Sequence, residues 1–314
     1  MRVLHLDTNH PLLIEQLRDA GFENVVDLTG SKEEIQQKID QFDGLVIRSR
    51  IPIDQEFLEH ATRLKFIGRV GAGLENIDTA EAERLGIALF NAPEGNRNAV
   101  GEHALGMLLM LMNRLHLTNR EVRQGLWERE GNRGWELEGR TVGIIGYGNM
   151  GRSFARKLKG FDCRVICHDI LPGLGDEYAE QVDLETLQQQ AEVLSLHTPL
   201  TPLTDRMVNS DFLGRFKHPI WLINTARGRC VVTADLVKAL EEGRVIGAAL
   251  DVLEYEKRSF ENLFEQELPE SLVKLFAMDN VVLSPHVAGW THESKDKLAQ
   301  TIVDKILMQF KNSD

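Results

Sequence analysis

The chain alternates between short apolar runs and longer segments in which apolar residues recur every three or four positions. The runs predict buried β-strands, and the longer period predicts amphipathic helices. The alternation predicts an α/β fold with a parallel sheet and helices on both of its faces. In the first third of the chain the predicted strands are residues 3–6, 25–28, 45–47, 64–67 and 87–90.

A second series of strands and helices begins near residue 141. Six strands with intervening helices are typical of a complete dinucleotide-binding sheet. The predicted strands are residues 142–145, 164–167, 193–196, 220–223, 247–250 and 281–283.

Two predicted helices bear on how the domains are built. Residues 98–124 read as one long helix that is apolar almost all round, which predicts burial on several sides. We expect it to link two domains and to contribute to a dimer contact, although packing wholly within its own domain is an open alternative. A last amphipathic helix over 292–311 could pack back on the first domain and make that domain discontinuous.

Composition narrows the classes of partner. The 314 residues carry a net charge of −12, which disfavours nucleic acid and anionic membranes, so an anionic substrate would need a local cluster of Arg or Lys. Cys163, Cys167 and Cys230 form no close pair and read as reduced thiols of a cytoplasmic protein, with no metal site. The N-terminus lacks the pattern of a signal peptide, and the apolar run 104–112 is far shorter than the ~20 residues of a membrane span.

The segment TVGIIGYGNMG carries the pattern G-x-G-x-x-G directly between a predicted strand and a predicted helix. Gly146 would allow a tight turn, Gly148 would let a pyrophosphate approach the backbone, and Gly151 would let helix and strand pack closely. Asp169 ends the next strand, where a carboxylate binds the adenosine ribose and repels the extra phosphate of NADP. The combination predicts NAD, against the alternatives of FAD or of a glycine cluster without a ligand.

Three polar residues follow later strands, at the edge where open α/β sheets bind ligands: Arg227, Glu256 and His286. A histidine could exchange the hydroxyl proton of an alcohol, a carboxylate could hold the histidine tautomer, and an arginine could bind a substrate carboxylate through two hydrogen bonds. Taken singly, a loop Glu is usually solvated and a His after Pro is often structural.

Several motifs in order make the chain similar to the D-isomer-specific 2-hydroxyacid dehydrogenase family: VGAGLENID, NAP with VGEH, VGIIGYGNMG, HTP, NTARG, ALDV and SPHVAGWT. The resemblance implies that Arg227 binds the substrate carboxylate and carbonyl, and that His286, paired with Glu256, gives and takes the proton. It implies NAD contacts at Gly146, Gly148, Asn149, Met150, Gly151, Asp169, Ile170, His197, Thr198, Pro199, Thr225, Ala226, Arg227, Asp251, His286, Ala288 and Gly289.

The resemblance also implies two Rossmann-like doubly wound domains. The substrate-binding domain would be flavodoxin-like and discontinuous, covering residues 1–95 plus 288–314. The NAD-binding domain would cover residues 96–287. Members of the family are usually homodimers joined through their NAD-binding domains, so we expect the same here.

The substrate is suggested by LVIRSR. Arg48 and Ser49 end a strand that we expect to face an interdomain cleft, and the pair resembles the D-3-phosphoglycerate dehydrogenase and phosphoerythronate branches of the family. A guanidinium there suits a phosphate. The loop of Val70, Gly71, Ala72 and Gly73 would offer backbone N–H groups to the carboxylate.

Some positions depart from the family. Lys257 stands where a Pro is frequent, and the 29 residues between Glu256 and His286 are more than usual, so 257–280 reads as an enlarged loop or an added helix. Trp290 could shape the pocket or simply pack. The sequence ends soon after the last helix, so serine feedback through a C-terminal regulatory domain is not expected.

Three functions stay open. The first is NAD-dependent oxidation of D-3-phosphoglycerate to 3-phosphohydroxypyruvate in serine biosynthesis. The second is a general 2-ketoacid reductase acting on glyoxylate or hydroxypyruvate. The third is a non-enzymatic NAD-sensing binding protein, against which the intact set of Arg, Glu and His argues.

Overall fold

The structure is a computed structural model that describes residues 1–256 and 267–310. The chain forms two compact units, Met1–Arg97 with Trp290–Asp314, and Asn98–Gly289. The sequence placed the division near residues 95 and 287. The assignment of these units to substrate and NAD binding stays a prediction.

The first unit contains a five-stranded sheet in which every strand pairs in parallel with its neighbours. Its strands are β1 (Arg2–His5), β2 (Glu23–Val26), β3 (Gly44–Ile47), β4 (Phe66–Arg69) and β5 (Ala88–Phe90). Their order is β2-β1-β3-β4-β5, which is the flavodoxin-like order. The predicted fold of this domain is therefore confirmed.

Helices cover both faces of this sheet because successive strand residues point to opposite sides. Val3 packs in one buried cluster with Phe66, whereas Leu4 packs in another with Phe57. The short second helix begins at Ser31, whose side chain forms a reciprocal capping box with Glu34. The helices before the boundary are α1 (Pro11–Asp19), α2 (Lys32–Gln36), α3 (Gln55–His60) and α4 (Thr79–Arg84).

The last described helix, α12 (His292–Phe310), belongs to the first unit, so this domain is discontinuous as predicted. It packs against α1 and against β4 and β5. Its apolar stripe is buried among the residues of β1, β3 and β4. The stripe consists of Leu298, Ala299, Ile302, Val303 and Ile306.

The second unit contains a seven-stranded parallel sheet. Its strands are β6 (Thr141–Ile145), β7 (Arg164–His168), β8 (Glu180–Gln181), β9 (Val193–Leu196), β10 (Ile220–Asn224), β11 (Val245–Leu250) and β12 (Val281–Leu283). The order is β12-β11-β10-β9-β6-β7-β8. Successive strands are therefore added towards one edge from β6 to β8 and towards the other edge from β9 to β12, so the strand order reverses between β6 and β9. The prediction of six strands missed β8, because this strand has only two residues and both are polar.

The single helix predicted over 98–124 is wrong. The structure has α5 (Pro93–Met112) and α6 (Leu115–Arg123), separated where Arg114 adopts a left-handed φ of 54°. A helix cannot continue through a left-handed residue. Burial is also one-sided, because within α5 Leu108 is fully buried whereas Met110 is exposed. The boundary between the two units falls within α5.

The remaining helices are α7 (Asn149–Lys157), α8 (Leu184–Gln190), α9 (Ser210–Gly214), α10 (Thr233–Glu241) and α11 (Glu270–Ala277). Within the predicted enlarged segment 257–280, residues 257–266, including Lys257, lie outside the described residues. The rest of the segment contains α11, which packs against α10 through buried Leu272 and Leu275. Within the described ranges we find no helix with the length and apolar character to cross a membrane.

Candidate active site

The glycine turn connects β6 to α7. Gly146 adopts a φ of 89°, and a Cβ there would lie 2.8 Å from the backbone of His197. A Cβ at Gly151 would overlap the carbonyl oxygen of Gly146, so close packing of the helix on the strand requires glycine. A Cβ at Gly148, the N-cap residue of α7, would have no atom within 4 Å among the described residues. The start of α7 is therefore accessible to an anion, as at a dinucleotide pyrophosphate site.

Asp169 follows β7 and is held beside the glycine turn. Its carboxylate accepts hydrogen bonds from the backbone N–H of Tyr147 at 2.7 Å and of Leu171 at 3.0 Å. Tyr147 is fully buried, and its hydroxyl donates to Asp176 at 2.6 Å. Burial and this hydrogen bond raise the pKa of Tyr147, so the hydroxyl is a neutral donor. The sequence did not single out Tyr147, since an aromatic residue in a glycine turn carries no signal of its own.

Two buried polar atoms lie just beyond β9 and β10. His197 Nδ1 and Thr225 Oγ1 have no hydrogen-bond partner among the described residues. Both belong to the predicted NAD contacts, and both lie near the point where the chain reverses across the sheet, which is where such sheets bind ligands. Buried polar groups are nearly always satisfied. The two orphan atoms and the accessible start of α7 therefore fit a bound dinucleotide.

His197 is neutral at physiological pH, because burial lowers its pKa to about 3. Its other nitrogen, Nε2, lies 2.8 Å from Ser195 Oγ, and its backbone N–H donates to Ile145 on β6 at 2.8 Å. The remaining predicted NAD contacts on these loops follow the same strand ends. They are Asn149, Met150, Ile170, Thr198, Pro199 and Ala226.

Arg227 lies on a turn that Asn224 builds at the end of β10. The amide of Asn224 accepts from the N–H of Ala226 and donates to the carbonyl of Arg227, both at 3.0 Å. Next to it, a Cβ at Gly228 would overlap the carbonyl oxygen of Leu253. The loop of Arg227 is therefore in close contact with the turn that leads to Glu256.

Glu256 and His286 are brought together as the sequence paired them. Glu256 Oε2 lies 2.7 Å from His286 Nδ1, and the side chains are 17% and 25% exposed. Glu256 Oε1 accepts from the N–H of Leu253. With Nδ1 donating to the carboxylate, Nε2 is the ring nitrogen that carries no proton in the neutral imidazole. The catalytic roles of Arg227, Glu256 and His286 stay predictions.

The loop that carries His286 is held by Asp251, which is 1% exposed. One carboxylate oxygen accepts from Ser284 Oγ at 2.5 Å and from the N–H of Val287 at 2.9 Å, and the other accepts from the N–H of Ala288 at 2.8 Å. His103 on α5 lies 3.0 Å from Ser284 Oγ. The oxygens of Asp251 accept hydrogen bonds from this loop, and the NAD contact that the sequence predicted at Asp251 stays a prediction. The sequence missed His103 and Ser284, whose only signal was their place in recognisable motifs.

In the first unit, the two arginines after β3 differ in their surroundings. Arg50 donates to the backbone carbonyls of Leu6, Gly30 and Asp27 at 2.6 to 3.1 Å. The guanidinium of Arg48 makes no ion pair with any residue that the structure describes. Its carbon lies 4.7 Å from the centre of the Trp290 ring. Arg50 is thus committed to the fold, and the charge of Arg48 is not neutralised. Ser49 lies between them.

The loop after β4 offers fewer donors than the sequence predicted. The N–H of Val70 donates to Ile47 at 2.9 Å, and that of Gly71 donates to Arg69 at 2.8 Å. These two amides are therefore already engaged. The predicted carboxylate contact narrows to the amides of Ala72 and Gly73. As for metals, no group of three potential ligands occurs in residues 1–256 or 267–310.

Comparison with known proteins finds a family model that matches most of the second unit and relatives that match nearly the whole chain. Residues 105–288 match the family model described as "D-isomer specific 2-hydroxyacid dehydrogenase, NAD binding domain". A D-3-phosphoglycerate dehydrogenase of Archaeoglobus fulgidus is 34% identical over 98% of this chain, which spans 57% of that relative's length. A glyoxylate reductase of Pyrococcus furiosus is 36% identical over 90% of this chain and 83% of its own.

A solved structure has the same fold over nearly the whole chain. The D-lactate dehydrogenase of Aquifex aeolicus, complexed with NAD and lactic acid, superposes with a TM-score of 0.84 at 26% identity, covering 98% of this chain and 96% of its own. The chain therefore belongs to the D-isomer-specific 2-hydroxyacid dehydrogenases, a family of NAD-dependent oxidoreductases.

Proposed function

We propose that the chain interconverts D-3-phosphoglycerate and 3-phosphohydroxypyruvate with NAD, the first step of serine biosynthesis. The observation that carries the proposal is the guanidinium of Arg48, which has no carboxylate partner among the described residues and follows the end of β3. A planar cation with unpaired donors suits a phosphate group. The phosphoglycerate dehydrogenase relative supports this choice.

The proposed chemistry is a hydride transfer coupled to a proton transfer. During oxidation, His286 Nε2 would take the proton of the C2 hydroxyl, and NAD, when bound, would supply the acceptor for the hydride that leaves C2. Glu256, 2.7 Å from Nδ1, stabilises the imidazolium that results. During reduction, His286 returns the proton to the carbonyl oxygen. Arg227 binds the carboxylate next to C2 through two parallel hydrogen bonds.

We propose that NAD binds along the loops that follow β6, β7, β9 and β10. The start of α7 would take the pyrophosphate and Asp169 the adenosine ribose. His197 Nδ1 and Thr225 Oγ1 would gain the partners that they lack among the described residues. The held carboxylate of Asp169 favours NAD over NADP, because a ribose phosphate beside it would be repelled.

A general 2-ketoacid reductase is the second candidate, and the glyoxylate reductase relative favours it. Such an enzyme would need only the carboxylate and carbonyl contacts, so Arg48 would be indifferent to its substrates. A binding protein that senses NAD would bind NADH without turning over any 2-keto acid.

The test compares kcat/KM for phosphohydroxypyruvate, hydroxypyruvate and glyoxylate with NADH. We expect Arg48→Ala to lower the value for the phosphorylated substrate by about 10- to 100-fold, the worth of a hydrogen bond to a charged group. The values for glyoxylate should stay within about twofold. Arg133→Ala, at an exposed arginine, is the matched control.

Two outcomes separate the candidates, and a variant of His286 tests the mechanism. An unchanged substrate preference in Arg48→Ala would favour the general reductase. No turnover on any substrate, with NADH still bound, would favour the sensing protein. His286→Ala should abolish turnover of all three substrates while NADH binding remains, and near-normal turnover would refute the proposed mechanism.

We also propose that the protein is a homodimer joined through the NAD-binding unit. Several apolar side chains on α6 and the segment after it are exposed, namely Leu115, Val122, Leu126 and Trp127. Exposed apolar groups of this kind mark protein interfaces. A cytoplasmic location also stays a proposal, supported by three free cysteines.

A further inference from the structure

The Arg48 guanidinium rests on the face of an indole that belongs to a distant part of the sequence. Its carbon is 4.7 Å from the ring centre of Trp290, and that tryptophan is 67% exposed. Both residues belong to the first unit. A large indole left mostly exposed contributes little to a core, so burial does not explain its place.

The backbone on both sides of this contact is fixed. The N–H of Arg48 donates to Asp7 at 2.6 Å, and its carbonyl accepts from Asn76 at 3.2 Å. Trp290 directly precedes Thr291, which exchanges hydrogen bonds of 2.9 and 3.0 Å with Ser294 at the start of α12. The buried stripe of α12 anchors that helix to the sheet. The backbone that carries the cation and the backbone that carries the ring are therefore both fixed by hydrogen bonds and packing.

Contact with an aromatic ring differs from an ion pair because the charge and the N–H groups of the guanidinium remain available to another ligand. A carboxylate would neutralise the guanidinium and occupy its N–H groups, as the backbone carbonyls do at Arg50. An aromatic face attracts the cation through its π-system while the N–H groups, which lie in the guanidinium plane, stay free for another acceptor. The arrangement restrains Arg48 and preserves its charge.

We propose that Trp290 is a positioning residue that orients Arg48 for the anionic group at the far end of the substrate. This inference rests on the proposed function. A free arginine side chain loses rotamer freedom when it binds, and that loss weakens affinity. Trp290 removes part of the loss beforehand, so it lowers the KM of a phosphorylated substrate without taking part in the hydride transfer.

The experiment uses the full chain with Trp290→Leu and Trp290→Phe. In Trp290→Leu we expect the KM for phosphohydroxypyruvate to rise by about two- to fivefold, the range of a cation–π contact at an exposed site, with kcat unchanged. The KM for glyoxylate, which has no far anion, should not change. Trp290→Phe retains an aromatic face and should recover most of the loss. Met308→Ala, at an exposed apolar residue of α12, is the control.

A double substitution separates positioning from simple packing. In the Arg48→Ala background, Trp290→Leu should have no further effect on the phosphorylated substrate, because the residue it orients is gone. An additive effect, or an equal rise in KM for glyoxylate, would overturn the inference. The proposed function has its own failure: if Arg48→Ala alone leaves the preference for phosphohydroxypyruvate unchanged, the assignment of Arg48 and this inference fall together.

Discussion

At the scale of single residues, the two histidines beside the sheet edge lie in different environments. His286 is partly exposed and bound to the carboxylate of Glu256. His197 is buried without a charged partner, and its pKa of about 3 keeps it neutral. Burial therefore makes His197 unable to act as a proton donor near neutral pH, although it lies beside the same sheet edge.

The buried His197 predicts a loss of stability in acid. Its pKa is about 3 in the folded chain and near 6.5 when exposed, so the unfolded state binds more protons between these values. The stabilisation is complete above pH ~6.5 and is lost as the pH falls towards 3. Between pH ~7.5 and ~5.5 the wild type should lose about 1.4 kcal/mol more unfolding free energy than His197→Gln.

Urea titrations at the two pH values measure this difference. His218→Gln is the control, because His218 is exposed on the same unit. Its loss of stability should match that of the wild type. Equal losses in the wild type and His197→Gln would show that His197 does not resist protonation.

At the scale of elements, the break between α5 and α6 depends on one residue. Arg114 has a φ of 54°, which costs an L-residue with a side chain about 1 kcal/mol or more relative to glycine. We expect Arg114→Gly to be more stable than Arg114→Ala by about 1 kcal/mol, since both variants lack the arginine side chain and differ only in backbone freedom.

The same pair of substitutions within α6 should have the opposite order. Arg120→Gly should be less stable than Arg120→Ala by about 1 kcal/mol, because Arg120 lies inside α6 and glycine disfavours a helix interior. Denaturant unfolding of the four variants gives both differences. The same sign at both positions would contradict the left-handed break.

The apolar pattern was sufficient to predict most elements but not their interruptions. Eleven strands were marked by apolar runs, whereas the polar β8 was marked by none. The sequence near Arg114 has no glycine or proline to signal a helix end. For the site, the motifs were sufficient to predict that Arg227, Glu256 and His286 follow the ends of strands. The contacts of Asp251 with Ser284 and of Arg48 with Trp290 join distant residues, and only the tertiary fold reveals them.

At the scale of the whole molecule, charge and exposed apolar surface act against each other. A net charge of −12 opposes association of two copies, so a dimer needs a strong apolar contact. The exposed apolar side chains of α6 and the segment after it provide a candidate surface. The same charge repels an anionic substrate, which makes local cations such as Arg48 and Arg227 necessary.

The proposed dimer gives a direct measurement. Light scattering should report a mass near twice 35.5 kDa for the wild type, and Leu126→Glu should reduce it to that of one chain. A charge placed at Leu126 would be buried without a partner in the interface. Met308→Glu, on the first unit, should remain dimeric. A monomeric wild type would reject the proposal.

The position of α12 has a consequence for biosynthesis. The apolar face formed by Val3, Leu13 and Phe66 is covered only when residues from 292 onward have been made. All strands of the second unit are translated before α12, so this unit can complete its core first. The first unit, whose strands are translated first, therefore completes its core last. Nascent chains halted before residue 292 should keep this apolar face exposed, and we expect chaperones to bind it.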